Sequence, residues 1–180
     1  MLTAAQGQVL LDFARRAIIR ALSHRTVSVA QVLREQFSGR QGVFVTLLKD
    51  GELRGSMGYP EGTYPLIDGI VRAARDAAFI DPRFKPVRKG EMRQLRIRID
   101  LLSRFVQARI SQLKPGRHGC YVEFGVFRGL QLPEDARKYK WTPKELVQNT
   151  LRKAGLAPEM WNDRNVKIYR FTTRQIEEKA

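Results

Sequence analysis

The chain has 180 residues, 43% of them hydrophobic, with a formal net charge of +15 and a single cysteine. This length and apolar share allow one substantial core or two small lobes sharing an interface, and they exclude a disordered polymer. Cys120 cannot close an internal disulfide, and with only His24 and His118 it falls short of a four-ligand zinc set; an all-oxygen site lacks any carboxylate cluster with loop spacing, so neither metal nor cofactor is expected.

Thr3 and Gln6 form a T-x-x-Q capping box, after which Leu10, Phe13, Ala14, Ala17, Ile18 and Ala21 recur at helical spacing to about Ser23. Ser28 and Gln31 repeat that signal before Val32, Leu33 and Phe37, with Gly39 as the stop. Residues 41–49 are apolar on both faces, Asp50-Gly51 signals a hairpin, and the return strand runs from Glu52 to Tyr59. Pro65 suits the start of a helix carrying Ile67, Ile70, Val71, Ala74 and Ala78, which Asp81-Pro82 ends. From Leu95 to Phe105 the residues alternate: Ile97, Ile99 and Leu101 point to a core, Arg96, Arg98 and Asp100 away from it. Two short strands flank Gly125, Thr142-Pro143 with Glu145 opens a helix stopped by Gly155, and Val166 to Thr172 reads as a last strand. Helices mixed with strands in no strict alternation predict an α+β fold.

No apolar run approaches the ~20 residues needed to cross a bilayer, and Thr3, Gln6 and Asp12 stand where a signal peptide would be basic and then apolar, so a cytoplasmic protein without a membrane partner is expected. The charge is uneven. Between Arg83 and Arg117 eleven cations (Arg83, Lys85, Arg88, Lys89, Arg93, Arg96, Arg98, Arg104, Arg109, Lys114 and Arg117) face two acids, Glu91 and Asp100. Phosphate neutralisation makes this segment a candidate RNA surface, with Arg96, Arg98, Lys85, Arg88 and Lys89 as its contacts. The alternative is a solvated basic face in a chain whose arginine excess reflects genome composition or growth at high temperature.

The segment LRGSMG (Leu53–Gly58) joins a guanidinium, glycines and a hydroxyl, and reads as a donor-rich turn on the second strand or at its far end. Arg54, Gly55, Ser56 and Gly58 there form a candidate site for an anion or carbonyl, since glycine admits close backbone approach and arginine offers a planar fork. In the opposing reading the glycines make a strand bend, Arg54 makes a salt bridge and Ser56 is merely small. Asp81 and Arg83 read first as a corner that stops the preceding helix, and secondly, with Asp76, as polar groups facing LRGSMG. A serine-hydrolase elbow fails on spacing, because Gly55 directly precedes Ser56. His118 and Cys120 alternate on a strand as a partly buried polar and a small core residue; Arg137 to Trp141 mixes phosphate-binding and stacking side chains in a loop; Tyr59 and Tyr64 either line a pocket or pack over Pro60 to Pro65.

Taken in order, LRGSMG, AARDAAFIDPRFKP (Ala73–Pro86), the His118-Gly119 pair, FRGLQLPEDA (Phe127–Ala136), KAGL (Lys153–Leu156) and Trp161 resemble the AMMECR-type domain family, over about Gly42 to Phe171. The resemblance implies two unequal lobes, each a mainly antiparallel sheet with flanking helices, and a cleft between them. The larger lobe is expected at about 1–106 plus 164–180 and the smaller at about 107–163, with the C-terminal strand returning to the larger. The family carries no established activity, but its members look associated with Memo-like proteins and radical S-adenosylmethionine enzymes in an unidentified modification pathway. One cysteine excludes this chain as the radical enzyme. The family's usual residue at 56 is Cys, followed by Ile, where this chain has Ser56 and Met57; that departure disfavours thiol catalysis and favours binding. The expected function is therefore the binding of a small anionic or polar ligand in the cleft, against an RNA-binding module or a protein-interaction subunit; whether the chain is an enzyme, and its oligomeric state, stay open.

Overall fold

Helix α1 (Ala4–Ala21) opens the computed structural model, which describes residues 2–179. The Thr3–Gln6 capping box closes both of its reciprocal bonds, and Leu10, Ala14 and Ile18 lose all exposure. Helix α2 (Gln31–Gln36) starts at Ala30 with no side-chain cap, so the Ser28–Gln31 signal is not used; six residues present no buried stripe that would fix an earlier start. Strands β1 (Val43–Lys49) and β2 (Glu52–Tyr59) pair antiparallel around Asp50 and Gly51, whose φ values of 52° and 82° are those of a two-residue hairpin turn. Helix α3 (Leu66–Phe79) follows Pro65, and β3 (Leu95–Leu102) pairs antiparallel with β1.

β8 (Thr173–Glu177) completes a four-stranded sheet in the order β2-β1-β3-β8. Val43, Val45, Leu47, Ile97 and Ile99 bury their side chains with α1 and α3 in one core. The opposite face is also buried where it carries Thr46, Arg98 and Asp100, at 2%, 8% and 1% exposure. The alternation at 95–102 therefore separates apolar from polar, but it does not separate core from solvent.

The second unit spans Ser103–Thr173, and the first comprises the chain up to Leu102 and from Arg174 onward. In the second unit β4 (Val106–Gln107), β7 (Lys167–Phe171), β5 (Gly119–Phe124) and β6 (Phe127–Gln131) form a sheet in that order, each neighbouring pair antiparallel. Helix α4 (Pro133–Lys138) precedes α5 (Pro143–Lys153), which has the Thr142–Glu145 capping box and packs Leu146, Val147 and Leu151 onto Cys120 and Val122. The unit boundaries fall at 102 and 173, where the sequence places them at 106 and 163. β7 stays in the second unit because it lies between β4 and β5, and the strand that returns to the first sheet is β8.

Candidate functional site

Because β1 and β2 are antiparallel, each β2 side chain is placed by its partner on β1. Leu47 opposes Gly55 but Leu48 opposes Leu53, which leaves Arg54 as the extra residue of a bulge. LRGSMG is thus the body of a strand and no turn. The bulge releases the Arg54 side chain from the ladder, and its fork grips Glu91: Nε donates to Oε1 at 3.0 Å and Nη2 to Oε2 at 3.1 Å. Glu91 also accepts from the Arg88 backbone N–H at 2.9 Å and lies 3.5 Å from Lys49 Nζ. The Arg54 fork, the Arg88 N–H and the nearby cations hold the Glu91 carboxyl at about 2. Arg54 braces the 88–91 turn, and its Nη1 is buried with no hydrogen-bond partner among the described residues.

The two glycines serve packing. A Cβ built on Gly55 would drive into the Ala77 carbonyl oxygen of α3, so the missing side chain is what lets the helix lie on the strand. A Cβ on Gly58 would meet the Phe44 ring and the Val43 carbonyl of the neighbouring strand. On the helix side too, the Tyr59 hydroxyl donates to Asp76 Oδ2 at 2.6 Å, and burial with that bond pushes the phenol up to about 12. Tyr59 and Tyr64 meet edge to face at 4.9 Å, which is packing over the Pro60–Pro65 loop.

Ser56 points to the other face. Its hydroxyl lies 2.9 Å from that of Thr46, its β1 partner. Its backbone N–H donates to Asp81 Oδ2 at 2.8 Å, which joins the strand to the corner after α3. Asp81 is 4% exposed. Burial raises its carboxyl, but hydrogen bonds from the Arg83 guanidinium and from the Ser56 and Arg83 N–H groups outweigh this and hold it at about 2. Arg83 is clamped in turn: Nε lies 2.9 Å from Asp81 Oδ1, Nη2 lies 2.7 Å from Oδ2, and Nη2 lies 3.4 Å from the Ser56 carbonyl. The Arg83 side chain nonetheless keeps 51% exposure. Of the six residues proposed from sequence, the structure brings Ser56, Asp81 and Arg83 into one linked cluster, while Arg54, Gly55 and Gly58 hold the strand, the helix and the 88–91 turn together.

Residues 11–176 match the family model described as AMMECR1. The chain belongs to the AMMECR1 family. A protein of Methanothermobacter thermautotrophicus is 37% identical over 185 residues, covering 98% of this chain and 96% of the relative. One from Aquifex aeolicus is 34% identical, covering 94% and 91%. The crystal structure of an uncharacterised protein from Pyrococcus horikoshii superposes with a TM-score of 0.91 at 34% identity, over 96% of this chain and 91% of that one. None of these three names states an activity.

Within this AMMECR1-family fold the segment Arg83–Arg117 is divided between the two units. It crosses from the first unit into the second at 102. Arg98 lies 3.4 Å from Asp100, both of them buried, and Arg96 lies 3.7 Å from Glu177. Arg98, proposed as a phosphate contact, is held at 8% exposure by a carboxylate on its own strand. Cys120 is buried against α5, which pushes its thiol up to about 12, and Nδ1 of the buried His118 accepts from the Lys114 N–H at 3.1 Å. Tyr139 and Trp141 stack at 5.4 Å. No group of three or more His, Cys, Asp or Glu that could hold a metal occurs among the described residues, and no helix among them is long and apolar enough to cross a membrane. Thr46 and Glu91 are the site neighbours that sequence reasoning missed. The bulge at Leu47/Leu48 decides where Arg54 points, and no local signal marks it.

Proposed function

We propose that this AMMECR1-family chain binds a small ligand bearing an anionic group, held by the Arg83 guanidinium beside Ser56 at the centre of LRGSMG. The observation that carries this reading is the clamp itself: a buried, ionised Asp81 fixes one edge of the guanidinium of a side chain that is half exposed. A guanidinium already fixed by a carboxylate loses less rotamer entropy on binding than a free side chain. Compared with the sequence reading, the ligand-facing cation becomes Arg83, because Arg54 is engaged by Glu91.

Binding without nucleophilic chemistry is favoured by the surroundings of Ser56. Its hydroxyl meets the Thr46 hydroxyl, and the nearby carboxylate of Asp81 accepts from the backbone N–H and is held at about 2, far too acidic for a general base near neutrality. On this reading the chain is the ligand-holding member of the modification pathway that the family resemblance implies. The test is thermal-shift screening of a panel of small carboxylates and phosphates against wild type and Arg83→Gln. Stabilisation of wild type that is lost in Arg83→Gln supports the assignment, and equal stabilisation of both rejects it.

A further inference from the structure

We propose that the second unit carries a separate oxyanion site, a basic cavity that takes the phosphate of a small phosphomonoester. The cavity has a volume of about 260 Å³, and its lining includes Arg104, Lys114, Arg117, His118, Arg170 and Phe171. All of these lie within Ser103–Thr173. The Arg83 cluster belongs to the first unit, so the two sites share no residue.

Three of the four cations are held on a fixed frame. Arg170 sits on β7, the strand between β4 and β5, opposite Val106 on one side and Cys120 on the other, and its Nη1 donates to the Gln112 carbonyl at 3.3 Å. Lys114 and Arg117 belong to one tight turn. The turn is closed by the Arg117 and His118 N–H groups on the Lys114 carbonyl, at 3.0 and 2.8 Å, and by the Lys114 N–H on His118 Nδ1. Gly116, with φ of 83°, makes that turn possible.

What distinguishes this cluster is the absence of compensating acid. Arg15, Arg54 and Arg83 in the first unit each meet a carboxylate. None of Arg104, Lys114, Arg117 and Arg170 has one within ion-pair distance among the described residues, and no Asp or Glu occurs between Asp100 and Glu123. Like charges converging on one concavity repel, and a bound dianion relieves that repulsion. The field is felt locally: burial and then Arg170, Arg117 and Lys114 depress the His118 imidazole below its usual range. A phosphate monoester offers three acceptor oxygens and nearly two charges, which matches several convergent donors better than a carboxylate does. A groove for single-stranded nucleic acid uses exposed aromatic faces for stacking, and Phe171 at this cavity is 2% exposed and covers Gly119.

Isothermal titration at fixed ionic strength with inorganic phosphate and glycerol phosphate tests the proposal on the full chain. The Arg104→Gln/Arg117→Gln pair changes two exposed side chains that have no ion pair, and Lys114→Gln serves as a second, independent variant. Binding is expected to weaken about tenfold or more in the double variant, as for the loss of charge-assisted hydrogen bonds. An Arg88→Gln/Lys89→Gln control in the first unit, with the same change in net charge, is expected to stay within about twofold of wild type. Equal losses in the Arg88/Lys89 control, or no phosphate binding by wild type, would overturn the proposal. An RNA oligomer without terminal phosphate that binds more tightly as its length grows would overturn it as well.

Discussion

Replacing Gly55 with alanine separates a glycine that makes room for a ligand from one that makes room for a helix. A Cβ at position 55 meets the carbonyl oxygen of Ala77 far inside contact distance, with the Ala77 carbonyl carbon at 3.2 Å. Both obstacles are backbone, so no rotamer change relieves them, and α3 must recede from β2 by on the order of 1 Å. That helix carries Ile67, Ile70, Ala73 and Ala74, all without exposure, so the shift opens the core along its length. Overpacking of this kind costs about 3 kcal/mol, which for a chain of this size lowers the melting temperature by about 6–12 °C. Thermal unfolding followed by circular dichroism measures it, with Gly39→Ala as the control. A Cβ at Gly39 meets nothing within 4 Å, and that variant is expected within about 0.5 kcal/mol of wild type. If Gly55→Ala proved as stable as Gly39→Ala, the space above Gly55 would be open and the packing account of LRGSMG would fail.

Acid unfolding should report the two depressed carboxyls. Asp81 and Glu91 fall from ordinary values of 3.8 and 4.5 to about 2 when folded. The unfolded chain therefore binds more protons through that window, and stability that is fully present above about pH 5 is lost as the pH falls toward 2; urea midpoints across this range should flatten in Asp81→Asn and Glu91→Gln, and unchanged slopes would contradict the assignment. Ser56→Ala is expected to cost about 1 kcal/mol in urea unfolding, because the Thr46 hydroxyl, on a residue 2% exposed, loses its partner; a neutral result would mean that the pair contributes nothing. Arg98→Gln, which removes the charge opposite the buried Asp100, should destabilise by about 3 kcal/mol, whereas Arg96→Gln at the surface should stay within about 0.5 kcal/mol. Equal effects of these two changes would show that Arg98 is no more structural than Arg96.

Features set by chemistry within a few residues were legible in the sequence. The capping boxes at Thr3 and Thr142 and the Asp50-Gly51 turn need only neighbours three residues away or fewer, and each forms as read. The Ser28–Gln31 signal has the same local form but fails, since α2 buries nothing that would anchor its first turn. β8 was illegible because it joins the edge of the first sheet with Ile176 as its one apolar side chain, half buried. At the candidate site the residue types were visible, but their partners lie far along the chain: Glu91 is 37 residues from Arg54, and Asp81 is 25 from Ser56. Which arginine is engaged and which is half exposed follows from a one-residue bulge and from where α3 ends. Neither leaves a periodic trace. The burial of Arg98 was hidden for a related reason, because a strand buried on both faces can alternate arginine and isoleucine as an exposed one does.

Native mass spectrometry of wild type and Arg83→Gln, purified side by side from the same cells after a high-salt step, tests the proposed ligand site most directly. The account predicts a defined small mass retained on wild type and absent from Arg83→Gln, with both proteins folded by circular dichroism. The same adduct at the same occupancy on both proteins would contradict it.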